Sequence, residues 1–198
     1  IMKKVVVTGG AGFIGSHIVE EAIARGYRVL VVDNLHSGNM VNLKPFIMQD
    51  QVDFMHADIS HIDDMRKAFA GAETVFHLGA LISVPESMSK PAEYVHANAS
   101  GTLQVLEACR LEGVSNVVLS SSAAIYGDNP AIPKREDMLP EPKSPYAVTK
   151  LDGEYYFDMY RHQHGLNTTS LRYFNVFGPR QDPQSQYAAA VPIFISKA

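Results

Sequence analysis

Tyr146 and Lys150 stand four residues apart in Pro145-Tyr146-Ala147-Val148-Thr149-Lys150, a spacing that puts both side chains on one face of a helix. A phenol near its ordinary pKa of about 10 is a poor base at neutral pH. Lowering it by about 3 units takes roughly 4 kcal/mol of preferential phenolate stabilisation, and the Lys150 ammonium can supply part of that. Ser122 ends a short β-branched run, and strand ends are where the ligands of open α/β sheets bind. Its hydroxyl can hydrogen-bond a substrate oxygen that loses or regains a proton. Ser122, Tyr146 and Lys150 are therefore the candidate catalytic residues. Taken singly, the Tyr/Lys spacing is weak, with about 0.4 matches expected by chance, and such a pair is more often surface than catalytic.

A second constellation raises its weight. Thr8-Gly9-Gly10-Ala11-Gly12-Phe13-Ile14-Gly15 follows a predicted strand and opens a helix. There, glycines allow a tight turn and let the backbone N–H groups around Gly9, Gly12, Phe13, Ile14 and Gly15 approach a pyrophosphate at the positive end of the helix. Three glycines at this spacing occur by chance only about 0.07 times in such a composition. Asp33 ends the second predicted strand, where a carboxylate accepts the hydroxyls of an adenosine ribose and repels a 2′-phosphate. The following Asn34-Leu35-His36-Ser37-Gly38 offers no arginine, so the cofactor expected is NAD, with Asn34, Ser37 and Gly38 among its contacts. Asp58, beside Ile59 after the third strand, can reach the adenine amino group; a turn or N-cap carboxylate is the equal alternative. A positive nicotinamide ring near Tyr146 supplies the remainder of the phenolate stabilisation.

These residues need a scaffold, and short β-branched runs alternating with longer helical patterns provide one: a Rossmann-type, doubly wound parallel sheet of the α/β class. Six strands are predicted near 3–8, 28–33, 52–56, 74–77, 116–121 and 168–173, with helices near 12–25, 61–69, 92–112 and 145–164. Gly26 follows the first helix as a left-handed stop, and Ser144-Pro145 supplies an N-cap and a proline at the first helical position. Five prolines between 127 and 145 mark a long loop.

With 198 residues, 46% of them apolar, the chain has material for one good core. The net charge of −4 comes with acidic and basic residues interspersed, which leaves no electrostatic case for nucleic acid or an anionic membrane. The single Cys109 excludes a disulfide framework within one chain and leads to the expectation of a reducing, cytoplasmic setting. No apolar run reaches membrane-spanning length, and the eight histidines show no zinc spacing, so no metal is expected.

The glycine turn with Asp33, Ser120-Ser121-Ser122, the Tyr146/Lys150 segment and Arg172-Tyr173-Phe174-Asn175-Val176-Phe177-Gly178-Pro179 occur in a fixed order. In that order they resemble the extended short-chain dehydrogenase/reductases, in the NAD-dependent epimerase/dehydratase group, over essentially the whole chain. The resemblance implies that Leu78, Gly79 and Ala80 pass beneath the cofactor, that Asn98 lies near its nicotinamide end, and that Phe174 and Asn175 flank the nicotinamide and the substrate diphosphate. It adds Ser83 to Ser122, Tyr146 and Asn175 as substrate contacts. Relatives that dehydrate sugars carry a Glu or an Asp-Glu pair where this chain has Ala123 and Ala124, which argues for chemistry needing only the triad and NAD. The implied reaction is epimerisation at C4 of a UDP-hexose, UDP-glucose or UDP-galactose, through a 4-keto sugar. The alternatives are a UDP-N-acetylhexosamine or UDP-hexuronate 4-epimerase, a net sugar reductase, or a non-catalytic NAD-binding protein; many UDP-galactose epimerases have a lysine at the position of Ile82.

Relatives commonly dimerise through the helices near 92–112 and 145–164, and a homodimer is implied here. Val191–Ala198 begins an apolar segment that stops without a cap, so residues 1–190 are expected to form the dinucleotide-binding domain and 191–198 to start a C-terminal substrate domain that is otherwise missing. Little turnover is expected without that domain.

Overall fold

The computed structural model describes residues 2–182. The expectations for Val191–Ala198 and the boundary at 190 lie outside the described residues. Strands β1 (Lys4–Thr8), β2 (Arg28–Asp33), β3 (Val52–His56), β4 (Ala72–His77), β5 (Asn116–Ser122) and β6 (Asn167–Tyr173) form one six-stranded sheet in the order β3-β2-β1-β4-β5-β6. Every neighbouring pair is parallel. This is the Rossmann-type doubly wound sheet, and its strand order reverses between β1 and β4, where ligands of such sheets bind.

The helices are α1 (Phe13–Ala24), α2 (Lys44–Ile47), α3 (Ile62–Phe69), α4 (Val84–Ser89), α5 (Pro91–Tyr94), α6 (Gly101–Leu111) and α7 (Pro145–His164). Successive strand residues face opposite sides, and β1 is apolar on both because both are covered. Val5 and Val7 join Val19 and Ala22 of α1 in one core layer. Val6 joins Met65 and Phe69 of α3, Val105 and Leu106 of α6 and Phe157 of α7 in the other.

Local signals act where they stand in the sequence. Ser144 Oγ accepts the Ala147 N–H at 3.2 Å with Pro145 in the first turn of α7, and Gly26 follows α1 with φ +79°. The short α2 and α4 and the 3₁₀ turns at Met40–Asn42 and Ala123–Tyr126 carry no sequence signal of their own, since three to six residues hold no measurable 3.6-residue period. The helix expected near 92–112 departs from a uniform α-helix: Val95–Ser100 between α5 and α6 is π-helical.

The turns leaving β1 and β4 meet backbone to backbone. Gly9 has φ +70°, and a Cβ there would lie 2.7 Å from Gly79 N and 2.8 Å from Leu78 C. Gly26 is also left-handed, but a Cβ there meets nothing within 4 Å. Gly26→Ala should therefore cost about 1 kcal/mol of stability and leave dinucleotide binding intact, whereas Gly9→Ala adds overpacking, for about 3 kcal/mol or more, and abolishes binding. Denaturant unfolding with NAD titration checks this; equal effects at the two sites would refute the close-approach argument.

Candidate active site

The carboxyl ends of β1, β4, β5 and β6 open into a cleft of about 520 Å³. Gly9, Gly12, Phe13, Ile14, Gly15 and Leu78 line one part of it, and Ser122, Tyr146, Lys150, Phe174 and Asn175 the other. A smaller recess of about 80 Å³ continues past Gly9 and Leu78, bounded by Asp33, Asn34, Asp58, Ile59, Gly79 and Ala80. Residues from seven separate stretches of sequence thus share one groove across the switch point.

The recess is built to take hydroxyls rather than a phosphate. Asp33 is buried, and its carboxylate accepts the N–H of Ala11 at 3.0 Å and of Leu35 at 2.8 Å. Those bonds use two of roughly four lone-pair sites, which leaves capacity for ribose hydroxyls beside the glycine turn. Gly38 packs against this carboxylate, where a Cβ would stand 2.7 Å from Oδ1, while Ser37 lies exposed and outside both cavities. Asp58 accepts from the Ser60 backbone and hydroxyl and from Asn34 Nδ2 at 2.8 Å. Burial raises its pKa, but these hydrogen bonds outweigh burial and hold it below the ordinary value. It is a turn carboxylate that also borders the recess. The glycine turn, the α1 N-terminus and the partly unsatisfied Asp33 fit a dinucleotide.

At the other end, Ser122 and Tyr146 line the same part of the cleft. Lys150 lies one turn along α7, its Nζ 5.8 Å from the Tyr146 ring centroid and donating to Ser120 O at 2.9 Å. Burial raises the Tyr146 pKa, against a smaller pull downward from Ser122. Burial also lowers Lys150 to about 8. The sequence reading credits Lys150 with part of the phenol's activation; within the protein alone, desolvation prevails, and a further positive charge over the phenol is required.

Two sequence-predicted contacts line neither cavity. Ser83 caps α4, its Oγ accepting the Glu86 N–H at 3.0 Å while its own N–H donates to Tyr94 Oη at 2.9 Å. Asn98 is buried in the π-helical turn, where Oδ1 accepts from Leu81 N at 2.8 Å and Nδ2 donates to Leu81 O at 2.9 Å and Thr149 Oγ1 at 3.1 Å. It braces the β4 loop against α7, and it lines neither cavity.

Other residues enter the site without having been singled out. Tyr173 lines the large cleft; the parallel register pairing Ser122 with Tyr173 is the signal that could have found it. His77 ends β4, buried, with Nδ1 2.8 Å from Thr8 Oγ1 and Nε2 2.9 Å from Thr102 Oγ1. Burial, then the Lys150 charge, lowers its pKa to about 3, so it is neutral. Arg172 makes a two-pronged pair with Glu154, which also accepts from Ser121 Oγ at 2.5 Å. The same guanidinium lies over Tyr126, whose ring stacks on Phe174 with centroids 6.3 Å apart. Among the described residues, no group of three His, Cys, Asp or Glu could hold a metal ion and no helix is long and apolar enough to cross a membrane.

Comparison with known proteins places the chain in a family. The chain is 42% identical over 194 residues to a UDP-glucose 4-epimerase of Mycolicibacterium smegmatis, covering 96% of this chain and 61% of that protein. Its structure is similar to that of a UDP-N-acetylglucosamine 4-epimerase from Methanobrevibacter ruminantium in complex with UDP-N-acetylmuramic acid, with TM-score 0.93 and 44% identity over 98% of this chain and 62% of that one. A Thermus thermophilus UDP-glucose 4-epimerase in complex with NAD gives TM-score 0.84 and 42% identity over 93% of this chain and 59% of that one. The chain thus spans about three fifths of the length of these relatives. The model of the NAD dependent epimerase/dehydratase family matches residues 5–198, and this chain belongs to that family.

Proposed function

We propose that this chain is the cofactor-binding and catalytic part of a UDP-sugar 4-epimerase acting on UDP-glucose and UDP-galactose. The observation that carries the reading is the meeting of Ser122, Tyr146 and Lys150 with the glycine turn in one cleft. The backbone from Gly9 to Gly15 would hold the NAD pyrophosphate, Asp33 the ribose, Asp58 the adenine, and Phe174 the nicotinamide, with Asn175 toward the sugar nucleotide. NAD held there would supply reversible hydride acceptance for epimerisation at C4 by way of a 4-keto sugar, and a positive charge beside Tyr146. Tyr146 removes and then returns the 4-hydroxyl proton; Ser122 holds both oxygens in place, and Lys150 favours the phenolate. Ala123 and Ala124 offer no acid or base for dehydration. A second reading, a UDP-N-acetylhexosamine 4-epimerase, is favoured by the 44% identity to such an enzyme. The exposed Val95, Val148, Tyr155 and Met159 on the π-helical turn and α7 support a homodimer through these helices.

Incubating NAD-loaded protein with UDP-glucose, UDP-galactose and their N-acetyl counterparts tests the reading. Interconversion of the first pair supports it, conversion confined to the N-acetyl pair supports the second, and retention of NAD without reaction on any sugar would keep the cofactor site and move the same assay to a chain of the relatives' full length. Tyr146→Phe should slow the sugar-dependent appearance of reduced nicotinamide absorbance at least about 100-fold and leave NAD affinity unchanged. An unaltered rate would remove Tyr146 from the proton path.

Lys150 gives a pH signature. Its pKa is lowered from 10.5 to about 8 by burial, so below pH 8 the fold carries a desolvated cation at a cost of about 3 kcal/mol, which is relieved as pH rises from 8 to 10.5. Unfolding measured across this window should show the wild type gaining stability relative to Lys150→Met by up to about 3 kcal/mol. The Ser120 carbonyl left unpaired by the substitution is a pH-independent cost and cancels. A flat difference would mean Lys150 keeps its ordinary pKa.

A further inference from the structure

The segment leaving β6 closes one side of the large cleft with Phe174, Asn175, Val176 and Gln181. It has no regular structure, and its anchor is a set of contacts with α1, more than 150 residues away in the sequence. Arg180 Nη2 donates to Glu20 Oε2 and to His17 Nδ1, each at 2.5 Å. His17 Nε2 lies 2.8 Å from the Pro179 carbonyl oxygen. A guanidinium only donates and a carbonyl only accepts, so this geometry assigns the imidazole proton to Nε2. The His17 ring meets Phe13 edge-on with centroids 5.7 Å apart, and a Cβ at Gly178 would touch the Phe13 ring at 3.8 Å. Phe13 itself lines the cleft, so Glu20, His17, Arg180 and Pro179 form a clasp on the outer side of the wall whose inner side faces the dinucleotide groove. Arg180 has φ +66°, a left-handed conformation that a long side chain rarely adopts and that these partners hold in place.

We propose that Arg180 is a positioning residue for cofactor retention: by tying the β6 exit segment to the helix that carries the pyrophosphate turn, it sets the rate at which NAD leaves. The proposal rests on the cleft binding NAD, and it extends the epimerase reading, because a hydride that leaves and returns to one sugar requires the same dinucleotide to stay through turnover. Wall segments of this kind govern release more than encounter, so the effect belongs in the dissociation rate.

The test is exchange of bound NAD against excess isotope-labelled NAD, followed by mass spectrometry on the 198-residue protein. Arg180→Met should exchange at least about tenfold faster, with the melting temperature of the cofactor-free protein unchanged. Arg180→Lys, which can keep the pair with Glu20, should restore part of the difference, and adding Glu20→Gln to Arg180→Met should add nothing. Arg25→Met is the control, since it breaks an exposed ion pair with Glu21 on the same helix away from the cleft. Exchange of Arg180→Met at the wild-type rate, or equal acceleration by Arg25→Met, would overturn the proposal. Failure of the wild type to bind NAD would overturn the cofactor reading and the clasp together, and direct NAD titration separates that result from a failure of the clasp alone.

Discussion

The contact between the β1 and β4 turns is the constraint from which the site follows. Gly9 can lie against Leu78 and Gly79 only because it has no side chain and adopts a left-handed backbone. The approach is locked from below by polar groups. Gly79 N donates to Thr8 Oγ1 at 3.2 Å, and the same hydroxyl meets the neutral His77, which reaches on to Thr102 of α6. Buried polar groups are costly unless satisfied, and here each ring nitrogen of His77 has a partner. The result is a fixed distance between the two strand ends, and the groove for the dinucleotide is the space above them.

The same burial that shapes the groove works against its chemistry. Burial raises the Tyr146 phenol and lowers the Lys150 ammonium, so each is pushed toward its neutral form. At neutral pH Lys150 remains mostly protonated, and Ser120 O is positioned to receive its N–H. A cation entering the groove near Tyr146 would act in a low-dielectric space, where its effect on the phenol is stronger than in water. In the proposed epimerase the site is thereby poised for its cofactor, and the phenol stays a weak base until the ring is in place.

The surroundings hold the reacting groups by side chains that do not themselves line the groove. Asn98 joins the β4 loop to α7 from a π-helical turn, a distortion often found at functional sites. Arg172 and Glu154 tie β6 to α7 and, through Tyr126, fix the ring against which Phe174 stacks. Such a frame lets substrate-facing side chains come from strand ends and loops while their supports come from the rigid elements behind them.

By itself the sequence determined the parallel α/β architecture, the boundaries of its six strands to within two residues, the caps at Ser144 and Gly26, and the glycine turn with Asp33. These depend on local periodicity and backbone chemistry, which are written in consecutive residues. The tertiary structure alone decided that Tyr173 and Gln181 face the cleft, that Ser83 caps α4, that Asn98 braces the β4 loop against α7, that His77 spans β1 and α6, and that Arg180 clasps α1. It also decided the sign of the shifts at Tyr146 and Lys150. The reason is that burial and hydrogen-bond partners are supplied by residues distant in the chain, and no local pattern records which side of a wall a polar side chain will face.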